Sequence, residues 1–293
     1  MSEHIQSTVS HNTGFLILQR PAALNSLSLE MVRALTQSLL AWRDDPEIAA
    51  IVIQGSSEKA FCAGGDIRFF YQKGIATVTD GSALIEDFFT EEYALNHLIH
   101  HYPKPYIALL DGVVMGGGMG IAQAGPQARV RIVTERTKMA MPEVAIGLFP
   151  DVGGSYFLSR APGETGTYLG VTGQTIGAAD AIYAGLADLF VPSAALPSLQ
   201  ALMTTTPGQD LPTAVTAVAT AVDVDHCSLA LSRAAIDKHF AHDSVAAIMA
   251  SLATDSSEFA SKTLAAMQKR SPLMMSVTLA QIRRGAKLNV ADC

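Results

Sequence analysis

The sequence predicts an α/β architecture followed by a helical C-terminal region. Three features carry that expectation: short apolar runs bounded by Gly and Pro, helical periodicity between those runs, and a change of texture near Pro192. Gly14 to Gln19 reads as a strand. Ser28 is placed to cap a helix running to Arg43, with Met31, Leu35, Leu39 and Trp42 as its apolar stripe and Pro46 beyond its end. Ala49 to Gln54 reads as a strand feeding a turn around Phe61 to Asp66. A long helix is expected from Ile85 to His100, broken by Pro103 and Pro105. Tyr106 to Leu110 is the next buried strand, leading to Gly116-Gly117-Gly118 and a further helix. Beyond Pro192, Ala, Ser and Thr dominate. Helical spacing recurs through Ile236 and Phe240, and Ser271-Pro272 opens another helix. The expected division is an α/β core over 1–196 and a helical region over 197–293.

Composition narrows the classes. Of 293 residues, 49% are hydrophobic and 16% charged, which excludes a disordered chain and supplies a sizeable core. A net charge of −7 does not suit a nucleic-acid binder, whereas local Lys and Arg can still cradle a small anion. Cys62, Cys227 and Cys293 show no metal-type pairing and fit a reducing compartment. The segment beginning Met1-Ser2-Glu3 has no basic stretch followed by an apolar one, and no apolar run is long enough to span a bilayer. The expectation is a soluble, cytoplasmic protein with no membrane and no nucleic-acid partner.

Two glycine turns, Gly64-Gly65 and Gly116-Gly117-Gly118, each follow a strand. Glycine lets backbone approach a ligand, and N–H groups at a helix start are unpaired, so one donor from each turn would make an oxyanion hole. Either turn taken alone reads equally as tight strand–helix packing, and G-G-G-x-G is not a dinucleotide fingerprint. Glu143 and Asp151 lie in an apolar stretch punctuated by Pro142, Pro150 and Gly147. Apolar walls raise a carboxylate's proton affinity, as acid–base work near neutral pH requires. The alternatives, that each acid caps a helix or pairs with an Arg, remain open on spacing alone, and Asp151 before Val152-Gly153-Gly154 makes a reasonable cap. Glu91-Glu92 reads first as a solvated helix face and His100-His101 as structural or exposed. Cys62 is a small buried filler or an activated thiol. Ser155 does not complete a nucleophile elbow.

Together these residues resemble the crotonase superfamily, also called the enoyl-CoA hydratase/isomerase family. The likeness lies in Arg20-Pro21-Ala22-Ala23-Leu24-Asn25-Ser26-Leu27, in Lys59 to Arg68 with its Ala63-Gly64-Gly65-Asp66 turn, and in Asp111 to Gly118. Within the family, Phe88 to Tyr93, Met141-Pro142-Glu143 and Gly147 to Gly154 are most similar to its 3-hydroxyisobutyryl-CoA hydrolase subgroup. The resemblance implies a crotonase-like spiral of ββα units with a helical C-terminal region. It implies an oxyanion hole from Gly65 and Gly117, CoA lying along Ala23, Leu24, Ala63 and Gly64, catalytic acids at Glu143 and Asp151, and a substrate contact at Glu92. A hydratase's second glutamate would fall at Gly120. The expected activity is therefore hydrolysis of a short β-hydroxyacyl-CoA thioester, with no metal and no cofactor beyond the substrate's own CoA. An enoyl-CoA hydratase/isomerase and a CoA-ligand-binding protein with little turnover are the alternatives. The resemblance also implies a homo-oligomer, often trimer-based, and further helices beyond the position matching Cys293.

Overall fold

The computed structural model describes residues 3–79 and 81–293. Met1 and Ser2, at the head of the segment read for a leader, lie outside them. In chain order the elements are β1 (Ile5–Ser10), β2 (Thr13–Leu18), α1 (Leu29–Arg43), β3 (Ala50–Gly55), β4 (Ala60–Cys62), α2 (Ile67–Ala76) and α3 (Ala83–His100). Next come β5 (Tyr106–Leu110), β6 (Val113–Met115), α4 (Gly117–Gly120), β7 (Arg129–Val133), β8 (Lys138–Ala140), α5 (Gly154–Leu158), α6 (Thr165–Thr172), α7 (Ala178–Tyr183) and β9 (Leu189–Phe190). The helices α8 (Leu196–Thr205), α9 (Leu211–Ala217), α10 (Ser228–Phe240), α11 (Val245–Ala253), α12 (Glu258–Met267) and α13 (Pro272–Gly285) complete the chain. The α/β class with a helical C-terminal region is thus what the chain adopts. The chain groups into two compact units, residues 1–137 with 188–221, and residues 138–187 with 222–293.

The first unit is built on repeated β-β-α segments: β1-β2-α1, β3-β4-α2 and β5-β6-α4. A mixed six-stranded sheet in the order β1-β2-β3-β5-β7-β9 collects the long strands. Only β1 and β2 are antiparallel; β2 with β3, β3 with β5, β5 with β7 and β7 with β9 are parallel. Parallel strands covered on both faces need apolar residues along their length, which is why β3 opens Ala-Ile-Val-Ile and β5 reads Tyr-Ile-Ala-Leu-Leu. Phe15, Val52, Ile107, Leu109 and Ile132 pack on one face against Leu196, Leu199 and Met203 of α8 and Leu211 and Val215 of α9. On α1, Met31, Leu35 and Leu39 are buried as the stripe requires, and the Ser28 hydroxyl accepts the Met31 N–H at 3.3 Å. The short strands β4 and β6 pair in parallel in a second sheet, and each ends in one of the glycine turns.

The largest fully buried side chain of this unit is tied down by its polar atoms. Arg131, 1% exposed, donates through Nε and Nη2 to the two oxygens of Asp188 at 2.9 and 2.8 Å, and through Nη1 to Gln123 at 2.5 Å. This pair sits where β9 joins the sheet beside β7. The second unit is mostly helical. Gly166 comes against the Leu158 carbonyl and Gly170 against Ile282 and Thr278, which lets α5, α6 and α13 pack closely. Ser271 caps α13 through the Met274 N–H, and Ile236 and Phe240 of α10 are fully buried, as their spacing predicts.

Removing Asp188 would take away the carboxylate that pairs with the buried Arg131 guanidinium. Asp188→Ala is expected to destabilise the first unit by about 3–5 kcal/mol. Trp42 is the chain's single tryptophan and packs on Gly14 in the same unit, so urea unfolding followed by its fluorescence is the check. A midpoint unchanged from wild type would refute the expectation.

Candidate active site

In the first unit, two segments distant in sequence are joined backbone to backbone. Leu27 donates to the Gly64 carbonyl at 2.8 Å, Asp66 donates to the Leu27 carbonyl at 3.0 Å, and Ala63 donates to the Leu24 carbonyl at 3.0 Å. Ala23, Leu24, Ala63 and Gly64, the expected CoA segment, therefore come together. Leu24 and Asn25 take φ values of 51° and 56°, a region that non-glycine residues occupy at a cost. Asn25 maintains it: the buried side chain accepts the Arg20 N–H at 2.8 Å and donates to the Ala60 carbonyl at 2.9 Å. Arg20 in turn meets Asp66 at 2.7 Å. Burial opposes ionisation of Asp66, but Arg20 and the Arg68 and Phe69 amides outweigh it and hold the carboxyl below its usual range. Asn25 and Asp66 escape a sequence reading because their partners are backbone groups and a cation brought near only by the fold.

In this parallel bridge Leu27 makes both bonds, so the Gly65 N–H faces the other way. Gly117 opens the one-turn helix α4, where N–H groups lack intrahelical acceptors. Neither the Gly65 nor the Gly117 N–H has an acceptor among the described residues. They are close. A side chain on Gly64, whose φ is +96°, would stand 3.4 Å from the Gly117 nitrogen, and one on Gly117 would stand 3.4 Å from the Gly65 nitrogen. The one on Gly117 would also strike the Glu92 carboxylate. Two donors fixed before any charge develops are the requirement for an oxyanion hole.

Glu92 departs from the solvated-face reading. The buried stripe of α3 runs through Phe88, Glu92, Leu95, Asn96 and Ile99, and Glu92 is 2% exposed with its carboxylate beside Gly117. Its neighbour Glu91 points outward to Arg33 at 2.6 Å. Successive helical residues diverge by about 100°, so two adjacent acids have opposite fates. Cys62 is fully buried, and desolvation raises its thiol to about 12, so it is a filler beside the turn and not a nucleophile.

The acids lie in the second unit. Pro142 starts a 3₁₀ turn over Glu143–Ala145, with Val144 buried and its carbonyl accepting the Ser271 N–H at 3.0 Å. That bond ties the turn to the start of α13. Glu143 is 5% exposed, and its Oε2 has no hydrogen-bond partner among the described residues. Burial raises it to about 8, a local backbone hydrogen bond opposes the rise, and the charge of Asp151 adds to it. Asp151 is half-buried, and α5 has no side-chain cap; the Asp151 carbonyl accepts the Gly154 N–H. The two acids interact through their charges. Val152, next to Asp151, holds φ at 46°, a costly conformation for a β-branched residue.

The first unit thus presents two adjacent backbone donors on a β-β-α repeat, and the second a desolvated glutamate sensing a nearby aspartate. The chain belongs to the enoyl-CoA hydratase/isomerase family, whose model matches residues 13–293. It is 41% identical to a mitochondrial 3-hydroxyisobutyryl-CoA hydrolase of Xenopus tropicalis, over 95% of this chain and 72% of that protein. It is also 38% identical to the small ribosomal subunit protein mS47 of Neurospora crassa, over 96% of this chain and 58% of that protein. Among solved structures, a carnitinyl-CoA dehydratase of Mycobacterium thermoresistibile superposes with a TM-score of 0.91 at 39% identity, covering 99% of this chain and 82% of that one. Likeness at this level spans differently named roles, so membership fixes the fold and leaves the substrate to the site. The Xenopus relative is mitochondrial by name, where the sequence led us to expect the cytoplasm. No helix among the described residues is long and apolar enough to cross a membrane.

A raised carboxyl pKa makes stability fall with pH. Below the unfolded value of 4.5 both states hold the proton. Between 4.5 and about 8 the unfolded state releases it first, and above about 8 the penalty is complete. Glu143→Gln does not titrate and is expected to match wild type near pH 4.5. It should gain on wild type as pH rises, by on the order of a few kcal/mol above pH 8. Guanidinium unfolding at pH 5, 7 and 9 checks this; a difference that does not vary with pH would contradict it.

Proposed function

We propose that the chain hydrolyses a short β-hydroxyacyl-CoA thioester, with 3-hydroxyisobutyryl-CoA as the substrate of choice. The observation that carries the reading is Glu143: a dry carboxyl raised to about 8 by burial, with Asp151 adding to the rise. A single carboxyl with a proton affinity near neutrality can take a proton from water and later return it to a thiolate. Gly120 adds weight, since it stands where a hydratase's second glutamate is expected and offers no side chain for adding water across a double bond. The hydrolase name of the Xenopus relative points the same way.

In this reading the CoA moiety runs along Ala23, Leu24, Ala63 and Gly64, and the Gly65 and Gly117 N–H groups hold the thioester oxygen. Attack at the carbonyl carbon moves an electron pair onto that oxygen, where two fixed donors stabilise it; each donor of this kind is worth about 2.7–4 kcal/mol. Ionised Glu143 either removes the water's proton or adds directly to give an anhydride that water opens. Collapse breaks the C–S bond, and the proton ends on the CoA sulfur. Asp151 orients the acyl hydroxyl or assists that proton, and Glu92 holds the acyl end. The products are the free hydroxy acid and CoA.

A chain that binds such a ligand with little turnover is the competing reading; a relative, mS47, is named as a ribosomal subunit protein. Thiol release from 3-hydroxyisobutyryl-CoA separates the two. kcat/KM should rise with pH through about 8, the value at which Glu143 ionises. Glu143→Gln should lower kcat by about 10²–10⁴-fold. No thiol release by wild type, or equal release by wild type and variant, would sink the hydrolase assignment; hydration of crotonyl-CoA, followed by ultraviolet absorbance, would replace it with a hydratase.

A further inference from the structure

Asn96 lies one helical turn beyond Glu92 on the buried stripe of α3 and is 8% exposed. Its Nδ2 and Oδ1 are both buried with no hydrogen-bond partner among the described residues. A buried amide in this state loses its hydration and gains nothing in return, whereas its stripe neighbours Leu95 and Ile99 are apolar. Buried polar groups are ordinarily paired, and an orphan calls for a partner from outside the chain. Its position indicates which partner. Residues four apart on a helix are neighbours, with Cβ atoms about 5–6 Å apart. The Glu92 carboxylate is beside Gly117, whose N–H is one of the two free donors.

We propose that Asn96 is a specificity-determining residue that binds the acyl chain's hydroxyl group, directly or through one ordered water. This rests on the thioester-hydrolase reading above and extends it to the feature that separates a hydroxyacyl from a plain acyl substrate. A hydroxyl offers a proton and lone pairs together, and a carboxamide matches both, with a carbonyl to accept and an NH₂ to donate. Glu92 as a carboxylate can only accept. An unsubstituted acyl chain would leave the Asn96 amide unmet, so the site discriminates against it.

The test compares 3-hydroxyisobutyryl-CoA with isobutyryl-CoA in wild type, Asn96→Leu and Asn96→Ala. Both kcat/KM and calorimetric Kd are measured for each pair. Loss of one uncharged hydrogen bond should cut the preference for the hydroxylated substrate about tenfold in both variants, with the isobutyryl values little changed. Because Leu removes an unmet polar group at similar volume, the Tm of Asn96→Leu should equal or exceed wild type. An equal loss on both substrates, an undiminished preference, or a fall in the Asn96→Leu Tm would assign Asn96 a structural role and overturn the proposal. The Ala variant supplies the preference if the Leu variant misfolds. If wild type hydrolyses neither thioester, the hydrolase reading fails by itself, and the ratio of Kd values still decides whether Asn96 reads the hydroxyl.

Discussion

Backbone lies directly on backbone where the two glycine turns meet, and the placing of the Gly65 and Gly117 amides depends on that contact. A side chain on Gly118 would strike the Cys62 carbonyl, and one on Gly112 would strike Lys59. Any Cβ there pushes β4 and β6 apart and carries the Gly65 and Gly117 amides with them. The Asn25 clamp and the Arg20–Asp66 pair brace the segments that flank the first of these turns. Electrostatic stabilisation is useful only if the donors are in place before charge appears, and close packing of glycine backbone achieves this without a side chain to order.

The second unit supplies a different element, a carboxyl kept dry. Burying Glu143 costs stability wherever the unfolded chain would ionise, yet the same burial brings its proton affinity close to neutral pH. The turn that carries it is fastened by Pro142 and the Val144–Ser271 hydrogen bond, so the acid cannot relax outward cheaply. Val152, held at positive φ beside Asp151, adds local strain. Strain and desolvation gathered on this one stretch, within a unit whose helices obey ordinary packing rules, is the pattern of a segment whose surroundings over-determine it.

Some of this was legible from residue order. The periodicity of α1, the strand at Tyr106–Leu110, the cap at Ser271 and the two glycine turns all appear where the pattern puts them. Each depends on neighbours within a few positions, where steric and hydrogen-bonding preferences act directly. Glu92 marks the limit. Two adjacent acids look alike in a string, and only the rotation of α3 sends Glu91 to Arg33 and Glu92 to Gly117.

By itself, then, the sequence determined the α/β class, the helical C-terminal region, the positions of the turns and the residue types able to carry acyl chemistry. Tertiary structure alone decided that the Gly65 and Gly117 amides adjoin and that Glu143 loses its water while its Oε2 finds no partner. It also decided that the charge of Asp151 acts on Glu143, and that Asn96 is buried with its amide unmet. The reason is physical. Local geometry follows from short-range sterics, but solvation and electrostatic fields are sums over neighbours distant in the chain, and those neighbours exist only once the chain has folded.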